Sequence, residues 1–168
     1  MLGQLQDAGN TTTLAHYLDL LGKSGLVLGV SKYAGEQFRS RASSPKLLVL
    51  NTALMTASLP VPPDRIRENP ELWGRLAETA VGGHLAIAGP VEDIGVYYWR
   101  ERNREVAFVL ERGETIAAIE VKSTGRRTFL PGVAEFCRQF DVKRKILVGG
   151  QGIPIDEFLL TSPATWVE

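Results

Sequence analysis

Glu105-Val106-Ala107-Phe108-Val109-Leu110 and Thr115-Ile116-Ala117-Ala118-Ile119-Glu120-Val121-Lys122 are two apolar segments separated by a short polar turn, Glu111–Glu114. The spacing predicts an antiparallel hairpin. Side chains alternate along a strand, so Glu120 and Lys122 share one face, and Ile119 and Val121 share the other. By the same alternation Glu105, Ala107 and Val109 share a face. A hairpin that brings Ala107 near Glu120 sets position 107 beside a carboxylate and an ammonium.

That pairing has a chemical meaning. In metal-dependent phosphodiester cleavage, acidic groups hold Mg²⁺ and a lysine positions or activates the attacking water. An acid, a short gap and then Glu-x-Lys supply those groups. A third actor is a glutamate on the helix before the sheet, and Glu78 in Gly74-Arg75-Leu76-Ala77-Glu78 stands there. Alone, Glu-x-Lys more often describes a solvated strand with alternating charges.

The flanking segments extend the hairpin into a domain. Leu72, Leu76, Ala80, Gly83, Leu85 and Ile87 give an apolar stripe over a helix at Glu71–Ala88. Val96–Arg100 reads as a strand, Val133–Phe140 as a helix and Lys145–Gly149 as a buried strand. The order α-β-β-β-α-β predicts a mixed α/β (α+β) core over residues 72–168. The segment Pro154–Val167 adds one short element.

Upstream, Ser58-Leu59-Pro60-Val61-Pro62-Pro63-Asp64 is dense in proline, so no helix or central strand is expected to run through it, and residues 58–71 read as a linker. Before it, residues 1–57 read as a small separate unit. Asn10 to Thr13 offer capping oxygens, and Leu14, Tyr17, Leu18 and Leu21 fall on one helical face. Gly22 and Gly25 end that helix. Strands at Leu26–Tyr33 and Lys46–Leu50 follow, joined by a polar, basic loop. A helix followed by two strands and a basic loop suits a winged helix. Its wing carries Lys32, Arg39, Arg41 and Lys46 against one acid, Glu36, and these four cations are the candidate DNA-backbone contacts. Three basic residues between Lys122 and Arg127, and Lys143-Arg144-Lys145, are further basic clusters.

Composition narrows the function classes. The 168 residues are 44% hydrophobic and 23% charged, an ordinary globular composition. Lys plus Arg is 19 and Asp plus Glu is 19, which argues against a strong sequence-blind nucleic-acid binder. One cysteine, Cys137, excludes an internal disulfide, and with His16 and His84 as the only histidines a Cys/His zinc site is not expected. Cys137 is expected to be a small buried hydrophobe, and both histidines to lie on helix surfaces. Gly22-Lys23-Ser24 superficially matches the end of a phosphate-binding loop. Tyr17 stands where the motif needs glycine, and the flanking helix and strand are in the wrong order, so a helix end is expected. No apolar run is long enough to span a bilayer and no signal peptide opens the chain, so a cytoplasmic location without a membrane partner is expected.

Residues 90–123 together with the helix Leu72–Leu85 resemble the C-terminal domain of unknown function in a large family of bacterial and archaeal AAA+ ATPases. That domain is similar in fold to the PD-(D/E)xK (restriction-endonuclease-like) nucleases. The pattern is a helix with a central Glu, then "YYWR", "EVDFVL" and "IEVKS". Here it reads Glu78, Tyr97-Tyr98-Trp99-Arg100, Glu105 to Leu110, and Ile119-Glu120-Val121-Lys122-Ser123. The family places a winged helix before this part, with patterns matched by Thr13–Leu21 with Gly25-Leu26 and by Ser44-Pro45-Lys46 to Leu54. The resemblance implies a remnant catalytic set of Glu78, Glu120 and Lys122.

Two departures shape what the resemblance implies. The ATPase module expected before the winged helix is absent, so no ATP hydrolysis carries over and the chain is expected to be a fragment or stand-alone remnant. Ala107 stands where the pattern has Asp, and a methyl group cannot ligate Mg²⁺. Glu120 is then the main metal ligand left, with weak Mg²⁺ binding and no required cofactor. The expected function is a non-catalytic module binding DNA or a protein partner such as an ATPase module. The alternatives are an active Mg²⁺-dependent endonuclease using Glu78, Glu120 and Lys122, and a winged-helix DNA-binding regulator.

Overall fold

The computed structural model describes residues 11–35, 44–123 and 130–168. Among them are six α-helices and six strands in the order α1 (Thr11–Lys23), β1 (Val27–Lys32), β2 (Lys46–Val49), α2 (Thr52–Ala57), α3 (Pro63–Ile66), α4 (Pro70–Ala88), β3 (Gly95–Glu101), β4 (Arg104–Arg112), β5 (Thr115–Val121), α5 (Pro131–Gln139), β6 (Arg144–Val148) and α6 (Ile155–Leu160). The strands form one sheet in the order β2-β1-β3-β4-β5-β6. The β2–β1, β3–β4 and β4–β5 pairs are antiparallel, and β1–β3 and β5–β6 are parallel. This mixed sheet is the α+β architecture expected from the order of elements. None of the described helices is long and apolar enough to cross a membrane.

The sheet carries a core on each face. On one side Ala77, Val81 and Leu85 of α4 meet Leu48, Phe108, Leu110, Ile119 and Val148. On the other, Val133 and Phe136 of α5 meet Trp99, Val106, Val109 and Ala118. Both helices approach the strands closely. A Cβ at Gly82 of α4 would stand 2.5 Å from the Phe108 ring and 2.8 Å from Leu48. A Cβ at Gly132 of α5 would run into the backbone carbonyl of Glu105. Small residues at these two positions let the helices reach the sheet.

Several expectations change on contact with the fold. The hairpin expected as a wing extends the sheet of residues 95–148, because Ser31 and Lys32 pair with Tyr97 and Tyr98. Tyr98 also donates to the Ser44 carbonyl at 2.7 Å, fastening the start of β2 to β3. The loop between β1 and β2 at 36–43, with Arg39 and Arg41, lies outside the described residues, as do 124–129. Residues 58–71, expected as a linker, contain α3 and the start of α4. Pro63 and Pro70 open these helices rather than interrupt them, since the first helical N–H needs no partner. Asn69 caps α4 by accepting from the amides of Glu71 and Leu72, both at 3.1 Å. Asn51 caps the unforeseen α2 in the same manner, accepting from Ala53 N at 2.9 Å.

Gly22-Lys23-Ser24 is the end of α1, where Ser24 N donates to the Leu20 carbonyl. His84 is half-buried rather than on a free helix surface. Its Nε2 lies 3.0 Å from the Thr161 carbonyl and its ring meets Phe158 edge-on, so it docks α6 onto α4. Cys137 is half-buried against the α5-side core. The C-terminal stretch holds both α6 and a 3₁₀ turn at Pro163–Trp166, which Glu92 fastens by accepting from Ser162 Oγ and Ala164 N at 2.7 Å each.

The most consequential difference is a bulge in β4. Tyr97 pairs with Val109 but Trp99 pairs with Val106, so β4 spends one extra residue between these pairs. Ala107 and Phe108, adjacent in sequence, both join the α4-side core, while Val106 and Val109 face α5. Glu105, Ala107 and Val109 therefore do not share a face as simple alternation requires.

A Gly132→Ala substitution should force α5 away from Glu105. We expect a loss of about 2–3 kcal/mol in urea-induced unfolding, the range for overpacking that the backbone cannot relieve. An unchanged midpoint would show that α5 does not sit this close to β4.

Candidate functional site

The chemistry-bearing side chains gather at the end of the sheet where β4 begins and β5 ends. Lys46 is the first residue of β2, and Leu48, two residues on, points into the α4-side core. The same face therefore takes Lys46, whose side chain is only 17% exposed. Its ammonium forms an ion pair with Glu78 of α4, lies 3.2 Å from Glu105 Oε1 and donates to the Ala107 carbonyl at 3.3 Å. It also stands 4.9 Å from the centre of the Phe108 ring. An ammonium has three N–H donors, and three oxygens surround this one. Arg100 Nε, 3.9 Å from Glu105 Oε2, brings a second positive charge to the rim. Two carboxylates and two cations leave the cluster nearly neutral.

A second cluster lies on the α5 side. Lys122 Nζ is 2.7 Å from Glu120 Oε1, so these residues share a face as alternation along β5 requires. Glu120 is 14% exposed and Lys122 is 45% exposed. With Arg104 and Glu105 they line a cleft whose far wall is the start of α5 at Leu130, Pro131 and Gly132. Glu105 thus belongs to both clusters: its carboxylate meets Lys46, and it also borders the cleft of Glu120.

The expected set of Glu78, Glu120 and Lys122 is therefore divided between two clusters. Each carboxylate has its own lysine, Glu78 with Lys46 and Glu120 with Lys122. Register sets Phe108 opposite Ile119, and one step further Ala107 comes level with Glu120. The bulge nevertheless places Ala107 in the α4-side core, while Glu120 lines the α5-side cleft. An acid at position 107 would join Glu78 and Glu105 before it joined Glu120.

With Lys46 and Lys122 in place beside the carboxylates, the two clusters do not fit a divalent ion. Among the described residues no group of three or more His, Cys, Asp or Glu side chains could hold a metal. Glu120, expected as a weak ligand, is committed to Lys122. Lys46, expected among the cations facing DNA, is turned into the sheet. Lys32 is half-buried and borders a separate shallow cleft with Tyr33, Trp99 and Glu101. Sequence reasoning missed Glu105 as a partner of Lys46. The two are 59 residues apart, and neither periodicity nor spacing links them.

The two lysines should differ in their contribution to stability. Lys46→Met leaves two carboxylates facing each other in a half-buried setting, and a loss of about 2 kcal/mol is expected. Lys122→Met removes a more exposed partner and should cost less than about 1 kcal/mol. Chemical unfolding of both variants checks the order, and equal losses would contradict it.

No curated protein and no solved structure matches the chain. A family model does match over residues 73–160, which takes in most of α4 with Glu78, the bulged hairpin with Glu105, Glu120 and Lys122, α5, β6 and α6, while Lys46 lies before it. That span is more than half of the chain, and by it this protein belongs to the family described as Domain of unknown function (DUF4143).

Proposed function

We propose that this chain is a non-catalytic binding module: a degenerate nuclease-like fold from the C-terminal part of an AAA+ ATPase-type protein. The observation that carries the reading is the division of Glu78, Glu120 and Lys122, with each carboxylate neutralised by a lysine. Phosphodiester cleavage of the metal-dependent kind needs carboxylates converging on one ion, with a free lysine beside it. The Ala107 side chain supplies no ligand, and Lys122 has Glu120 as its partner.

The binding surface is the groove along the flank of α5. Three shallow clefts run into one another there, past Lys32, the β3–β4 turn and Lys122. Arg102 and Arg104 at the turn have no ion-pair partner among the described residues, which favours contact with a DNA backbone. Glu101, Glu105, Glu120 and Glu135 line the same groove, which favours a protein segment of mixed charge. A phosphate contact here is weak and salt-sensitive.

Two measurements test the reading. Plasmid DNA incubated with the chain in Mg²⁺ or Mn²⁺ should stay intact. Cleavage that disappears in Lys122→Ala would establish the nuclease alternative instead. Fluorescence anisotropy with a labelled duplex at low salt should show binding that Arg102→Glu/Arg104→Glu removes. Absence of binding by the unaltered chain assigns the groove to a protein partner, and binding unchanged in the double variant removes the groove from the account.

A further inference from the structure

Lys46 has a role that neither the resemblance nor the family assigns. We infer that its ammonium is the resident cation of the Glu78–Glu105 pair, occupying the place where a divalent ion would otherwise bridge the two carboxylates. The inference concerns the cation site itself and stands whether or not the groove binds DNA.

Three observations converge on it. Glu78 comes from α4 and Glu105 from β4, so the two carboxylates reach one point from different elements. Between them lies a single positive centre, Lys46 Nζ, with the Ala107 carbonyl as its third oxygen neighbour. Two carboxylates and a backbone carbonyl form an oxygen set of the kind hard divalent ions take. The bulge contributes directly, since the Ala107 carbonyl that accepts from Lys46 lies at the point where β4 departs from regular pairing.

The ammonium differs from a metal in two ways that matter here. It carries one charge, and it is covalently fixed to β2, so it cannot exchange with ions in solution. It also fills the space between the carboxylates. A divalent ion entering this point would have to displace a tethered cation already hydrogen-bonded to Glu105 and the Ala107 carbonyl and ion-paired with Glu78. The Lys46 side chain is therefore a built-in block to metal binding, acting in addition to the missing acid at position 107.

Removing the block should uncover the ion site. The full 168-residue chain, Lys46→Met and Lys46→Met/Glu78→Gln are titrated with Mn²⁺. Thermal unfolding and the electron paramagnetic resonance signal of free Mn²⁺ are followed in parallel. The unaltered chain is expected to show no Mn²⁺-dependent rise in Tm. Lys46→Met should rise by about 3 °C once Mn²⁺ reaches roughly ten times its dissociation constant. The Glu78→Gln change should abolish that rise. Lys46→Gln, which keeps a donor for the Ala107 carbonyl, serves if the methionine variant does not fold, and should respond in the same way. A Glu78-dependent Mn²⁺ response in the unaltered chain would overturn the inference. So would a Lys46 variant that folds but binds no Mn²⁺.

Discussion

A single ammonium holds together parts of this chain that lie far apart in sequence. Lys46 belongs to the β1–β2 hairpin, Glu78 to the long helix α4, and Glu105 and Ala107 to the central strand β4. The cation meets all of them at one point beneath α4. A charge buried to this degree is tolerated only when it is paired and hydrogen-bonded, and here three oxygens surround it. The constraint acts in both directions. The carboxylates need the lysine, and the lysine fixes where the hairpin edge must sit against the helix.

The β4 bulge makes this geometry possible and divides the remaining chemistry. Without the extra residue, Ala107 would follow the alternation of Val109 and face α5, where Glu120 lies. With it, Ala107 and Phe108 turn together toward α4, the Ala107 carbonyl accepts from Lys46, and the Phe108 ring lies beneath the ammonium. Glu120 remains with Lys122 on the other side. Two lysine–carboxylate clusters result, joined through Glu105, in place of one converging acidic centre. The proposed binding role rests on this charge-matched arrangement.

Much of this architecture was legible in the sequence because it rests on periodicity. The stripe through Leu76 and Leu85 marked α4, and the spaced apolar segments marked β3, β4 and β5. Glu120 and Lys122 share a face because β5 is regular there. What could not be read has physical reasons. The run Val106–Leu110 is apolar throughout, so a bulge within it leaves no break in a polar–apolar pattern. The prolines of residues 58–71 signal a helix start as readily as an interruption, and the capping residues Asn51 and Asn69 were the signals that could have decided it. Lys46 sits in a basic stretch and so resembles a solvent-facing cation. Its alternation with the buried Leu48 was the available sign that it points inward. The partnership with Glu105 is a long-range contact with no local signature.

The most direct measurement of the central claim is a double-mutant cycle between Lys46 and Glu78. Lys46→Met, Glu78→Gln and the combined variant are compared with the unaltered chain by urea unfolding without divalent ions. A shared hydrogen-bonded cluster predicts that the two changes are coupled by about 1 kcal/mol or more, with Glu78→Gln relieving part of the loss caused by Lys46→Met. Losses that simply add, to within about 0.3 kcal/mol, would mean that the two side chains act independently. That result would contradict a fold organised around this ammonium.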